Sequence, residues 1–178
     1  HNASLISGTA LRSLSAIRWM DDETVAADRI TAPQIGKLVI SGRGKAVAGD
    51  FQADLLLDNG GVPAPGTAVL GPAVIRGDVA DSLWQVNGDV SKIAVGGALR
   101  DGRVLAVGNV GPVVLGGMIR SDLYAGYGSA LAAPDTVTGL PTEQEIADSF
   151  DALASIGALS LRGLRDGRRF TDSFVDSN

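Results

Sequence analysis

The sequence predicts an all-β fold, a right-handed parallel β-helix whose turns take about 20 residues each. Three observations carry that expectation. Residues 70–89, "LGPAVIRGDVADSLWQVNGD", are followed by two stretches of the same length, "VSKIAVGGALRDGRVLAVGN" and "VGPVVLGGMIRSDLYAGYGS", that repeat the pattern with no visible insertion or deletion. A shorter template inside them (apolar, Gly or Ser, any, apolar, any, apolar, any, Gly) is met five times. Finally, 45% of residues are hydrophobic but only 4% are aromatic, and Gly occurs 24 times. Such a core must be built from stacked aliphatic side chains, with glycine at regularly placed corners.

Along the chain, "MDDETVAADR" (20–29) comes first and places three acids in a row. The template then appears as "IGKLVISG" (35–42), "LGPAVIRG" (70–77), "VSKIAVGG" (90–97), "VGPVVLGG" (110–117) and "IGALSLRG" (156–163). Its apolar spacing is that of a half-buried strand entered from a turn, and Val39, Ile40, Val74, Ile75, Val95 and Val114 are β-branched strand formers. A second segment follows most templates: "GDFQADLLLD" (49–58), "GDVADSLWQV" (77–86), "GGMIRSDLYA" (116–125) and "RRFTDSFVDS" (168–177). Two insertions are expected to loop out of the stack, the Gly/Pro-rich "NGGVPAPGTAV" (59–69) and residues 126–155. In the second, Thr142 and Glu145 form a capping box after Pro141, and Ile146, Phe150, Leu153 and Ile156 share one face, which predicts an amphipathic helix over about 142–156 lying on the flank of the stack. The chain is read as a single domain, 1–178, closing on a partial turn over 156–178.

A 20-residue unit cannot bury its own apolar face, so units must stack about 4.8 Å apart, as paired strands do. The expected apolar columns are Leu70, Val90 and Val110; Ile75, Val95 and Leu115; and Val79, Leu99 and Ile119. Within 70–89, Leu70, Ala73, Ile75, Val79 and Leu83 are expected to face inward, with Gly77 and Gly88 at corners. A propeller blade needs about 40–45 residues and antiparallel strands, and left-handed β-helices repeat in hexapeptides, so neither accounts for the pattern. The Gly-Asp pairs at 49–50, 77–78 and 88–89 are too sparse for calcium-binding nonapeptides and are read as turns.

Charge and composition exclude several functions. The net charge is −5, with three lysines (Lys37, Lys45, Lys92) and no concentrated basic face, so no nucleic-acid partner is expected. No apolar run approaches the roughly 20 residues of a membrane-spanning helix, and membrane insertion is not expected. There is no cysteine, and the one histidine, His1, is terminal, which argues against Ser-His-Asp catalysis and His-based metal sites. Asp21, Asp22 and Glu23 are the only candidate oxygen ligands for a hard cation such as Ca²⁺, and no other cofactor is expected. Acid–base chemistry would need carboxylates converging on an exposed face; Asp54, Asp81, Asp101, Asp122 and Asp172, with Arg100 and Arg120, occupy nearly equivalent places in the repeat. Trp84 and Tyr124, forty residues apart, are the candidate aromatic platforms for carbohydrate, with Asp81, Asp101 and Asp122 as polar partners. Asn2-Ala3-Ser4 matches an N-glycosylation sequon.

The opening "ITAPQIGKLVISG" (30–42), the continuation "GDFQADLLL" and "WQVNGDVSKIAVGG" (84–97) resemble β-helical repeat regions of large bacterial, planctomycete-type cell-surface and adhesin-like proteins. The resemblance covers most of residues 10–125 and, less closely, 156–178. It implies an extracellular or cell-surface structural or adhesive module, cut from a longer chain, and supplies no catalytic residue. The partners expected are surface glycans and neighbouring copies joined head to tail, because exposed strand edges invite pairing. The alternative expectation is a carbohydrate-active or carbohydrate-binding β-helix, similar to polysaccharide lyases and hydrolases.

Overall fold

The computed structural model describes residues 3–22, 27–44, 46–58, 68–128, 153–164, 170–171 and 174–177. Among them, all regular structure is β. The chain first forms β1 (Ser4–Ile6), β2 (Leu14–Ala16), β3 (Arg29–Ala32), β4 (Leu38–Ile40), β5 (Asp54–Leu57), β6 (Leu70–Ile75), β7 (Val79–Ala80) and β8 (Leu83–Val86). It continues with β9 (Val90–Arg100), β10 (Arg103–Ala106), β11 (Val110–Ile119), β12 (Asp122–Ala125), β13 (Ile156–Leu161), β14 (Phe170–Thr171) and β15 (Phe174–Ser177). These strands form two sheets. One runs β1-β3-β5-β8-β10-β12-β15; the other runs β13-β11-β9-β6-β4-β2, with β7 beside β9 and β14 beside β11.

Every strand pairing in both sheets is parallel. The pairing joins each repeat to the next: Leu70 lies opposite Val90, Val90 opposite Val110, and Val110 opposite Ile156. Equivalent residues therefore stack in columns, as the repeat requires. Leu38, Ala73, Ile93 and Val113 form one, none more than 3% exposed, and Ile40, Ile75, Val95 and Leu115 form another. One cluster of buried residues, mostly aliphatic but including Phe51, Trp84 and Met118, fills the space between the two sheets.

Three expectations shift in detail. The third 20-residue stretch lacks one residue: β9 and β11 pair with an offset of 20 at Val95–Leu115, but Ala98 lies opposite Gly117 and Leu99 opposite Met118. The column expected as Val79, Leu99 and Ile119 is in fact Val79, Leu99 and Met118. Leu83, expected inside, is only half-buried on the outer side of its strand, while Trp84 beside it is 1% exposed in the core. Most of the helix expected over 142–156 falls outside the described residues; at its end, Leu153 lies in a turn and Ile156 already begins β13, as the fifth template requires.

The corners are held by aspartates. Asp50 Oδ1 accepts the Asp78 amide proton (2.8 Å), Asp78 Oδ1 accepts that of Ala98 (2.7 Å), and Asp89 Oδ1 accepts that of Asn109 (2.7 Å). Each bond ties one repeat to the next and satisfies a donor that the turn leaves outside the sheet. This also explains the glycine at the upper corner. A Cβ on Gly77 would overlap Asp50 Oδ1, and one on Gly97 would overlap Asp78 Oδ1, so the reaching carboxylate and a side chain cannot share the space. The aspartates of the Gly-Asp pairs, read from the sequence as turn formers, thus also tie each repeat to the next.

Candidate functional site

The corner leading into the first sheet carries most of the acids singled out from the sequence, in two columns. The first contains Arg29, Asp54, Leu83, Arg103 and Asp122. Arg29 approaches Asp54 at 3.9 Å, Arg103 bonds Asp122 at 3.0 Å, and Asp54 Oδ1 accepts the Leu83 amide proton at 2.8 Å. The second contains Asp81, Asp101 and Arg120, two residues earlier in each turn. All three have left-handed backbone, with φ of 50°, 48° and 47°. Asp tolerates that conformation better than most residues, while a stacked Arg is held there by its neighbours. Arg120 donates to both carboxylate oxygens of Asp101 (2.6 and 2.7 Å), and Gln52 Nε2 reaches Asp81 Oδ2 at 3.4 Å. Arg100 turns instead to Asp78, at 2.7 Å.

The single set of acids expected from the repeat is therefore split. Asp54 and Asp122 share one column, Asp81 and Asp101 the other, and Asp172 lies outside the described residues. In the first column an arginine precedes each acid, whereas in the second Asp81 and Asp101 are adjacent like charges; each carboxylate is nonetheless answered from an adjacent repeat, by a guanidinium, the Gln52 amide or a backbone N–H. Asp122 shows what this costs: burial pushes its carboxyl above the ordinary 3.8, while Arg103 pulls the other way by charge and by hydrogen bond. A pair of carboxylates poised for general acid–base work needs one proton shared or one group left ionised beside an open cleft. Paired charges along a corner do not supply that; they tie one repeat to the next.

The two aromatic platforms fare differently from expectation. Trp84 and Tyr124 are not equivalent, because the missing residue in the third stretch puts Tyr124 opposite Leu105 and Gln85, whereas Trp84 aligns with Val104 and Leu123. They face opposite sides of the sheet. Trp84 is 1% exposed, packed edge to face against Phe51 (ring centres 5.8 Å apart, 84°), and its Nε1 finds no hydrogen-bond partner among the described residues. A buried indole offers no face to a sugar. Tyr124 is also fully buried, on the outer side, with Leu105, Tyr127 and part of Leu83.

Of the three consecutive acids, Glu23 lies outside the described residues. Asp21 Oδ2 accepts the Asp28 amide proton at 3.3 Å, and no group of three His, Asp or Glu side chains among the described residues is arranged to hold a metal ion. The acid that matters structurally here is Asp28, 3% exposed, which accepts from Trp19 Nε1 (2.7 Å) and from the Ala3 amide (2.6 Å) and so fastens the first strand. Nothing in its sequence context singles it out, since its role depends on groups nine and 25 residues away.

A groove on the outer side of the first sheet was not foreseen. It has a volume of about 170 Å³ and is lined by Leu56, Leu57, Asp58, Gln85, Val86, Asn87, Leu105, Val107 and Tyr127. Leu56, Gln85 and Leu105 belong to one outward column, and Asn87 Nδ2 donates to Asp58 Oδ1 at 2.9 Å on its rim. A period-2 reading could have found it, since Leu56 and Leu105 put apolar side chains on the outer side of strands whose inner side is already apolar, Leu56 half-buried and Leu105 buried with Tyr124 and Tyr127. No protein-family model, curated protein or solved structure matches the chain.

Proposed function

We propose that the chain is a non-enzymatic structural and adhesive module of an extracellular or cell-surface protein, of the kind found in bacterial adhesin-like repeat proteins. In this reading the two parallel sheets close into a right-handed β-helix, and copies associate end to end. The observation that carries the proposal is the use made of polar side chains: the acids at Asp50, Asp54, Asp78, Asp89, Asp101 and Asp122 all bond an adjacent repeat. A stack built to bear load needs such ties, whereas a lyase or hydrolase needs charges kept for substrate.

End-to-end association is supported by the exposure at the edge of the second sheet. In the column Leu38, Ala73, Ile93, Val113 and Leu159, the first four are at most 3% exposed but Leu159 is 36% exposed. A further strand laid on β13 would cover it, and a second copy supplies strands of the same template. Sedimentation velocity across a range of concentrations should show a rising weight-average coefficient, abolished by Leu159→Lys. Strict monomers at the highest concentration would refute association. Release of reducing ends or unsaturated products from neutral or uronic polysaccharides by the purified chain would refute the non-enzymatic reading.

A further inference from the structure

Arg29, Arg100, Arg103 and Arg120, at the corners, each pair with an aspartate. Four other cations, Lys37, Arg76, Lys92 and Arg162, are all exposed and form no ion pair among the described residues. The register places all four on the outer side of the second sheet. Lys37 and Lys92 directly precede Leu38 and Ile93 of one inward column, and Arg76 and Arg162 directly follow Ile75 and Leu161 of another. Side chains alternate along a strand, so the neighbour of an inward residue points out. Each cation comes from a different repeat, which is why the sequence shows no basic cluster. The strands of this sheet contain no Asp or Glu, whereas those of the first hold Asp54, Asp122 and Asp176. The acids at the bordering corners, Asp50, Asp78 and Asp89, are turned to backbone amides.

We propose that this face binds a linear polyuronate lying along the stack. Between the two rows of cations runs the outward column Val39, Val74, Ala94, Val114 and Ser160, with Val74 40% exposed. Such a strip matches the C–H faces of sugar rings, and a 1→4-linked ring advances by roughly one strand spacing, about 4.8 Å. The cations at its edges are sparse. Lys37 and Lys92 lie two repeats apart, about 10 Å, and Arg76 and Arg162 three repeats apart, about 14 Å, with about 13 Å along the strands between the rows. Sparse cations suit a polymer with one carboxylate per ring, which Arg can hold by two hydrogen bonds. Duplex DNA, with one charge per roughly 1.7 Å, needs a far denser basic surface. A bilayer surface calls for large apolar side chains to insert, and the strip offers only Val, Ala and Ser. Because the whole chain carries −5 despite these four cations, the rest of the surface repels a polyanion and confines it to this face.

The inference rests on the adhesive part of the proposed function, for which it names the partner's chemistry, and leaves the structural part independent. The test is a ¹⁵N-edited NMR titration of the full chain with hexagalacturonate, with maltohexaose as the neutral counterpart. Hexagalacturonate should give saturable shifts at amides within residues 37–41, 72–76, 92–96, 112–116 and 158–162, weakened by added salt, and maltohexaose should give none there. The double variant Arg76→Gln with Lys92→Gln should weaken binding at least fivefold with an unchanged melting temperature, since neither cation is paired. Arg29→Gln, on the other sheet, should leave the affinity unchanged. Silence from hexagalacturonate overturns the proposal, as do shifts that the double variant retains or that maltohexaose reproduces. Tighter binding to phosphatidylglycerol vesicles or to oligothymidylate at the same salt overturns the polyuronate class. Shifts from maltohexaose on another face, with none from hexagalacturonate, overturn this face while keeping the adhesive reading. Sedimentation of the same samples reads association separately, so a failed titration does not count against the stack.

Discussion

At the residue scale, Trp84 decides between a binding platform and a core. Its burial against Phe51 predicts that Trp84→Ala costs about 3–5 kcal/mol, as for other large aromatic truncations. Trp84→Phe should cost much less, because it gives up an N–H that has no partner. Denaturant melts of the two variants check this, and a Trp84→Ala protein of unchanged stability would place the indole outside the core. The Gly-Asp rungs make a second residue-level prediction. Asp78→Ala removes the bonds to the Ala98 amide and to Arg100, and should cost about 1–3 kcal/mol. Because a Cβ on Gly97 meets the Asp78 carboxylate itself, Gly97→Ala should cost less in the Asp78→Ala background than alone. A double-mutant cycle with zero coupling would show that glycine and aspartate do not share that space.

At the element scale, the pairing of Arg103 on β10 with Asp122 on β12 gives a pH prediction with a definite sign. Burial raises the folded-state value of Asp122 above 3.8, so the folded protein holds this proton more tightly than the unfolded chain does. The stability contributed is present below pH 3.8 and is lost as pH rises through the raised value. Arg103→Gln removes the opposing influence and should move the Asp122 midpoint higher still, read from the side-chain carboxyl carbon by NMR; a fall in the midpoint would contradict the burial argument. The same elements show why the sequence was legible up to a point. Within one strand, alternation carries the inside–outside assignment: in β6, Ala73 and Ile75 are buried while Pro72 and Val74 between them are exposed. Across the corner at Asp81, φ turns positive and parity is no longer carried, so Leu83 and Trp84 exchange sides. The residue missing near Gly116 is silent in a pattern of glycines, yet it separates Trp84 from Tyr124 and Ile119 from its expected column. The groove stayed hidden for a related reason. It is assembled from four repeats, and no single segment contains it.

At the scale of the whole molecule, stability should follow the stack. When each repeat contacts only its neighbours, a central repeat is held from both sides and a terminal one from a single side. The burial along Leu14, Leu38, Ala73, Ile93, Val113 and Leu159 has that form, half-buried at one end, nearly inaccessible through the middle and 36% exposed at the other. Native-state hydrogen exchange should therefore be slowest in β6, β9 and β11 and faster in β1, β2 and β13. Ile93→Ala, at the centre of the column, should lower protection throughout by about 2–5 kcal/mol, the usual cost of such a cavity. If copies stack end to end, β13 must become more protected as protein concentration rises, while β9 stays unchanged. Protection of β13 that ignores concentration, in a sample whose sedimentation does depend on it, would move the contact between copies away from this edge.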